Sequence, residues 1–309
     1  MKINLRGILL IGSLVFLMGF DFSKHSIPLD EILSGGPEKD GIPAILKPKF
    51  MPADRADFLK NDDRVLAFES NGEAKAYPIK ILNWHEIVND AIGGRPILIT
   101  YCPLCGTGMA FDPVIEGKHY TFGVSGLLYK SDVLMYDHQT ESLWSQIQQE
   151  AVTGPLTGTR LRLLPLVHTT WQAWRAERPK TQVLSTDTGF RRDYTRDPYE
   201  SYARSDRLMF PVGKGDDRLQ PKAWVLGIEL DGIARAYPFS ELERGPEFFT
   251  DVIGSKRVVL SYDRPSRTAR IQDQGGQDLP AVVAYWFAWA AFHPKTEVYR
   301  HSSSQEGRP

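Results

Sequence analysis

Cysteine is almost missing from this chain. Its 309 residues contain two, Cys102 and Cys105, three positions apart in YCPLCGTGMAFD (101–112). An excess of one charge is missing as well. The 37 basic and 38 acidic residues are mixed along the chain, with a formal net charge of -1. No basic stripe is available to hold a phosphate backbone, so nucleic-acid binding is not expected. Nor is there an apolar run long enough to cross a bilayer as a relaxed helix. The longest near the N-terminus, Gly7 to Phe20, has 14 residues, against the ~20 required.

That short run does follow Lys2 and Arg6, the layout of a secretory signal. A clean small-x-small cleavage site is lacking, because the nearest frame places Leu17 where a small residue belongs. Residues 1–24 are therefore expected to be a signal peptide or an uncleaved anchor that tethers the protein to the membrane. No lipobox cysteine follows, which argues against a lipoprotein. The body of the chain is expected to be periplasmic or extracellular. What is plentiful is core material. With 42% hydrophobic and 11% aromatic residues, wholesale disorder is excluded.

The clearest pattern is internal. VLAFESNGEAKAYP (65–78) and VLGIELDGIARAYP (225–238) match at an offset of 160, with Asn71-Gly72 falling on Asp231-Gly232. Asn-Gly and Asp-Gly favour two-residue hairpin turns, since both central residues need positive φ. AIGGRPILITY (91–101) then matches VIGSKRVVLSY (252–262). TWQAWRAERPKTQV (170–183) resembles YWFAWAAFHPKTEV (285–298), each a helix that its Pro-Lys-Thr should stop. The expected fold is α+β, mainly antiparallel β with short helices, in two related halves from an internal duplication. The first half spans 40–185, the second 223–301, and 186–222 forms a connector or a loop over the first half. What both copies keep should be scaffold. What only the first has, the cysteines and WHEIVND (84–90), is a candidate for chemistry.

Cys-Pro-Leu-Cys admits three readings. A thioredoxin-type redox couple needs the first cysteine at a helix N-terminus, and GTGMAFD offers no helix-forming run. A plain disulfide would close a very small loop and add little through chain entropy. C-P-x-C-G between two strands suits half of a rubredoxin-like metal knuckle, with the proline fixing the bend and the glycine permitting the twist. A second knuckle is absent, so further ligands must be nitrogen or oxygen. His85 is the first candidate, beside the cysteine strand and unique to the first half. His119 and His138 follow, in the stretch that the second half lacks. A set of two cysteines, a histidine and Met135 would suit copper, and two cysteines and a histidine with an open position would suit zinc. Glu86 and Asp90 could orient an imidazole, and Glu86 could serve as the catalytic acid–base group.

Other motifs are incomplete. HExxH fails because Asn89 replaces the second histidine. Ser125 in GVSGL lacks the last glycine of G-x-S-x-G, and GPLTGTR (154–160) lacks a phosphate-loop lysine. HYTFGVSGLLYKSDVLMYD reads as two strands around Ser125-Gly126.

On LNWHEIVND, TYCPLCGTGMAFD, FGVSGLLYKSDVLMYD, ESLWSQ and LSTDTGFRRDY, the chain resembles a bacterial and archaeal family catalogued as domain of unknown function 3179 (DUF3179). That resemblance implies no particular activity. The residues themselves point to an extracytoplasmic metal-binding protein, a metal-dependent enzyme acting on a small molecule with copper or zinc at Cys102, Cys105, His85, His138 and His119. A metal-free thiol–disulfide oxidoreductase using the same cysteines is the first alternative, and a non-enzymatic metal carrier or binding module the second.

Overall fold

The computed structural model describes residues 19–301. Most of the segment read as a signal peptide or anchor lies outside those residues. Among the described residues no helix is long and apolar enough to cross a membrane.

The chain is mostly antiparallel β-sheet with a few short helices. Asn71-Gly72 turns strand Arg64–Ser70 into strand Glu73–Pro78, pairing Ser70 with Glu73. Both turn residues have positive φ, 50° and 78°, as the primed turns of tight hairpins require. Asp231-Gly232 does the same between Trp224–Leu230 and Ile233–Pro238, with φ of 52° and 76°. In the first case the hairpin is flanked by Val167–Thr170 on one side, and by Gln182–Leu184 and then Phe50–Pro52 on the other. In the second it is flanked by Val282–Tyr285 and Glu297–Val298 in the same order.

Two buried networks recur at matching places. Tyr77 Oη donates to Asp90 at 2.7 Å, beside Lys75 Nζ at 3.0 Å. Tyr237 Oη donates to Asp251 at 2.7 Å, beside Arg235 at the same distance. Asp90 is thus held by a cation and a phenol rather than turned towards an imidazole. Trp174 and Trp289, buried on helices Trp171–Glu177 and Trp286–Phe292, each donate Nε1 to a threonine, Thr181 and Thr296, at 2.9 Å. The first helix is capped by Thr170, whose Oγ1 accepts from Ala173 N. Replacing such a cap costs about 1 kcal/mol. Thr170→Ala should therefore lower unfolding stability by that amount in urea titration with the slope unchanged.

Only the first part of the chain carries the five-stranded sheet Ile32–Ser34, Phe122–Tyr129, Asp132–Asp137, Leu143–Ser145 and Glu150–Thr153, in that spatial order except that the chain runs through the last four consecutively. Ser125-Gly126, expected as a turn, is instead a bulge inside one continuous strand, between Val124 and Leu127. The bulge is fixed by its surroundings: a Cβ on Gly126 would sit 2.2 Å from the Pro37 carbonyl oxygen. The actual turn is one step on, at Lys130-Ser131. The largest core joins this sheet, both cysteines and the C-terminal helix residues Trp286 and Trp289. Residues from both ends of the chain therefore pack in one interior. Region 186–222 holds one short helix, Glu200–Ala203, and crosses the first sheets through bonds from Asn83 to Asp197 and from Tyr202 to the Leu104 carbonyl.

Candidate metal centre

Strand Arg95–Cys102 ends on the first cysteine, and strand Thr107–Asp112 returns with Thr107 paired to Cys102. The intervening Pro-Leu-Cys-Gly is a tight turn in which Cys105 N donates to the Cys102 carbonyl at 3.2 Å. Gly106 closes it with φ of 64°, the left-handed region where a side chain is penalised. Both cysteines are free thiols, at 1% and 0% exposure.

A second turn meets this one. Lys130 and Ser131 have φ of 51° and 67°, and Tyr129 pairs with Asp132 across them. Two consecutive left-handed residues without a glycine or asparagine are strained, and such strain gathers at functional sites. The turn sets the Ser131 carbonyl against the thiols. Cys105 Sγ donates to it at 3.3 Å, and Cys102 Sγ lies 3.9 Å away. Asp132 follows, with Oδ1 4.0 Å from Cys105 Sγ. Its other oxygen accepts from Ser145 Oγ at 3.1 Å and Ile147 N at 3.0 Å, which fixes the carboxyl in place. The ligand atoms of Cys102, Cys105 and Asp132 all lie within 4.8 Å of one another. Ser131 Oγ is buried beside them with no hydrogen-bond partner.

Glu86 stands outside that trio. It caps helix Ile79–His85 with φ of 56° and is buried at 6% exposure. Tyr199 Oη is 3.5 Å from its Oε1. Burial, reinforced by the negative charge of Asp132, pushes the Glu86 carboxyl up to about 8. Burial pushes Asp132 up to about 7, against the hydrogen bonds that favour its ionised form. The Cys105 thiol is raised well above its ordinary range, first by burial and then by Cys102, Asp132 and Glu86. No lysine or arginine forms an ion pair with Glu86 or Asp132 among the described residues. Three acidic side chains therefore meet at one interior point, with the buried Glu86 carboxyl close enough to act on them electrostatically.

The histidines lie elsewhere in this constellation. His85 is wholly buried, with Nδ1 2.8 Å from the Pro43 carbonyl and Nε2 2.6 Å from Tyr194 Oη. Its two ring nitrogens thus tie the helix to the segment at Pro43 and to the crossing loop at Tyr194. His119 is exposed on the two-residue strand Lys118–His119. His138 is exposed, with Nδ1 2.9 Å from Thr121 Oγ1. No histidine joins the three-donor group. Met135 is a buried core residue, and Ser125 Oγ is bound to the Leu134 carbonyl of its own hairpin.

Asp132 is the member of the three-donor group that the sequence reading did not single out. A usable signal exists in YKSDVLMYD: the aspartate opens a strand whose six residues are all buried, and an acid in such a run needs a partner.

A family described as "Protein of unknown function (DUF3179)" matches residues 39–296. No curated protein and no solved structure matches the chain.

Proposed function

The chain belongs to that family of unknown function, so its chemistry rests on the site, and we propose that it binds a transition metal ion, copper or zinc, between Cys102, Cys105 and Asp132. One observation carries this reading: two thiols and the Asp132 carboxyl converge in the interior, with the buried Glu86 carboxyl acting on them from outside the trio and no lysine or arginine ion-paired to either carboxyl among the described residues. A buried ionised carboxylate or thiolate is costly when unpaired. A bound cation reverses that balance and favours the ionised ligands. Two thiolates and a carboxylate suit zinc, and the sulfur pair suits copper.

An ion there would act as a Lewis acid or carry an electron. The chain's own contribution is Glu86, proton-bearing at neutral pH and reached through Tyr199, the natural acid–base group for a small-molecule substrate. The N-terminal apolar run supports a periplasmic or extracellular setting, with or without a membrane tether. The matching strand orders and paired Tyr–Asp and Trp–Thr contacts support an origin of the two halves by duplication.

The thiol–disulfide alternative has the two sulfurs side by side in its favour. Reactive thiols, however, occupy electropositive and partly exposed surroundings. Here both are buried and Cys105 is raised by neighbouring acids.

Elemental analysis of protein purified from its native compartment tests the proposal. About one ion of copper or zinc per folded chain is expected, with loss of roughly tenfold or more in Cys102→Ser and Asp132→Asn. His85→Ala should keep its ion per folded chain. Full metal in Cys102→Ser, or a metal-free wild type with a two-electron dithiol midpoint, would overturn it.

A further inference from the structure

A cavity of about 250 Å³ opens beside the cysteine turn, where the two sheets that share a strand order meet. Its chemistry differs from that of the acidic centre. Arg64 opens strand Arg64–Ser70, and its guanidinium donates to two backbone carbonyls, of His168 and Ser266. Arg267 comes from the other side, on the turn between Lys256–Asp263 and Thr268–Gln272. Neither arginine is ion-paired to a carboxylate among the described residues. Arg64 is so enclosed that burial, with the charge of Arg267 added, brings it down to about 10.

His168 is also in the lining, 6% exposed, and its Nδ1 has no hydrogen-bond partner. Burial and the charge of Arg64 keep this imidazole well below its usual range, so it is neutral at pH 7. The one carboxylate of the lining, Asp197, accepts from Asn83 Nδ2 at 2.9 Å and from Tyr199 N at 2.8 Å. Two cations against one anion leave the cavity positive. Its other walls are aromatic, with the Trp224 and Tyr285 rings 4.4 Å apart and Tyr101 and Tyr199 across from them.

Two guanidinium groups that bear no carboxylate, beside an orphaned buried ring nitrogen, form a receptor for an anion. The aromatic walls require that the anion carry an apolar body. We propose that this cavity binds a small organic carboxylate, its carboxylate between Arg64 and Arg267 and its apolar body against Trp224 and Tyr285. The site goes beyond the metal reading and does not depend on it, because none of these residues is a metal donor. The two are adjacent nonetheless. Tyr101 and Pro103 line the cavity and lead into the cysteine turn, and Tyr199 touches both the cavity and Glu86.

Isothermal titration of the purified full chain with benzoate, benzamide and inorganic phosphate is the test. Benzoate should saturate one site, with the uncharged benzamide at least about tenfold weaker, a gap of 1.4 kcal/mol. Arg267→Ala, at an exposed position that leaves the fold intact, should weaken benzoate by about tenfold, and Arg267→Lys should restore part of it. Equal binding of benzamide, phosphate bound in preference to benzoate, no change in Arg267→Ala, or no benzoate binding at millimolar concentration would each overturn the assignment. Metal content of the same samples is read separately, so a failure of the carboxylate site is not confused with a failure of the metal site.

Discussion

Metal-free protein should lose on the order of 6 kcal/mol of stability as the pH rises from 5 to 8, and Asp132→Asn should abolish a little under half of that loss. The sign follows from which state holds the protons. Glu86 has its folded value raised to about 8 from an ordinary 4.5, and Asp132 to about 7 from 3.8. Between the two values of each group the folded state binds more protons than the unfolded one. Stability therefore falls with rising pH across that interval and levels off above the folded value. Each unit of difference corresponds to about 1.4 kcal/mol, so both groups matter on the scale of a marginally stable fold.

Asparagine is nearly isosteric at position 132. Its carbonyl oxygen can still accept from Ser145 Oγ and Ile147 N, so the exchange should cost little at pH 5. At pH 8 the variant should be the more stable of the two metal-free proteins by about 2 kcal/mol. Groups that do not sense Asp132 cancel in the difference between wild type and variant, and the loss of its charge also relaxes Glu86 downward, in the same direction. Urea unfolding of chelator-treated samples at both pH values measures it. Identical pH slopes would show that no buried carboxyl titrates there. Added zinc or copper should reverse the order, stabilising wild type and leaving the variant behind.

Gly106→Ala is the second large effect. A Cβ at that position would lie 2.6 Å from Trp224 Cη2 and 3.3 Å from the Tyr285 ring. The left-handed φ of 64° adds its own cost of about 1–2 kcal/mol, and overpacking adds about 1–3. A loss of about 2–5 kcal/mol is expected in urea unfolding. Trp224→Ala removes the ring that the new methyl strikes, so the double variant should be less destabilised than the sum of the single ones. Simple additivity would show that the clash is relieved some other way.

Some of this was legible in the sequence and some was not. The hairpins at Asn71-Gly72 and Asp231-Gly232 were plain because those pairs tolerate the positive φ that the turns demand. Gly106 was legible for the same reason, as the residue that lets the cysteine turn close. The Lys130-Ser131 turn was hidden. It forces ordinary residues into left-handed geometry, while Gly126, which looks like a turn glycine, serves a bulge. Misplacing that turn concealed Asp132, which lies 27 positions from Cys105 and reaches it only through the turn. His85 was visible as an unusual buried residue, but sequence proximity cannot say which way a ring points. It faces Pro43 and Tyr194.

The half without cysteines has its own hand on the sulfurs. Tyr285 N donates to the Cys105 carbonyl at 2.8 Å, and the Trp224 ring fills the space that Gly106 leaves open. The later segment is thus a buttress: the bend that carries the thiols is braced by a strand arriving some 180 residues downstream.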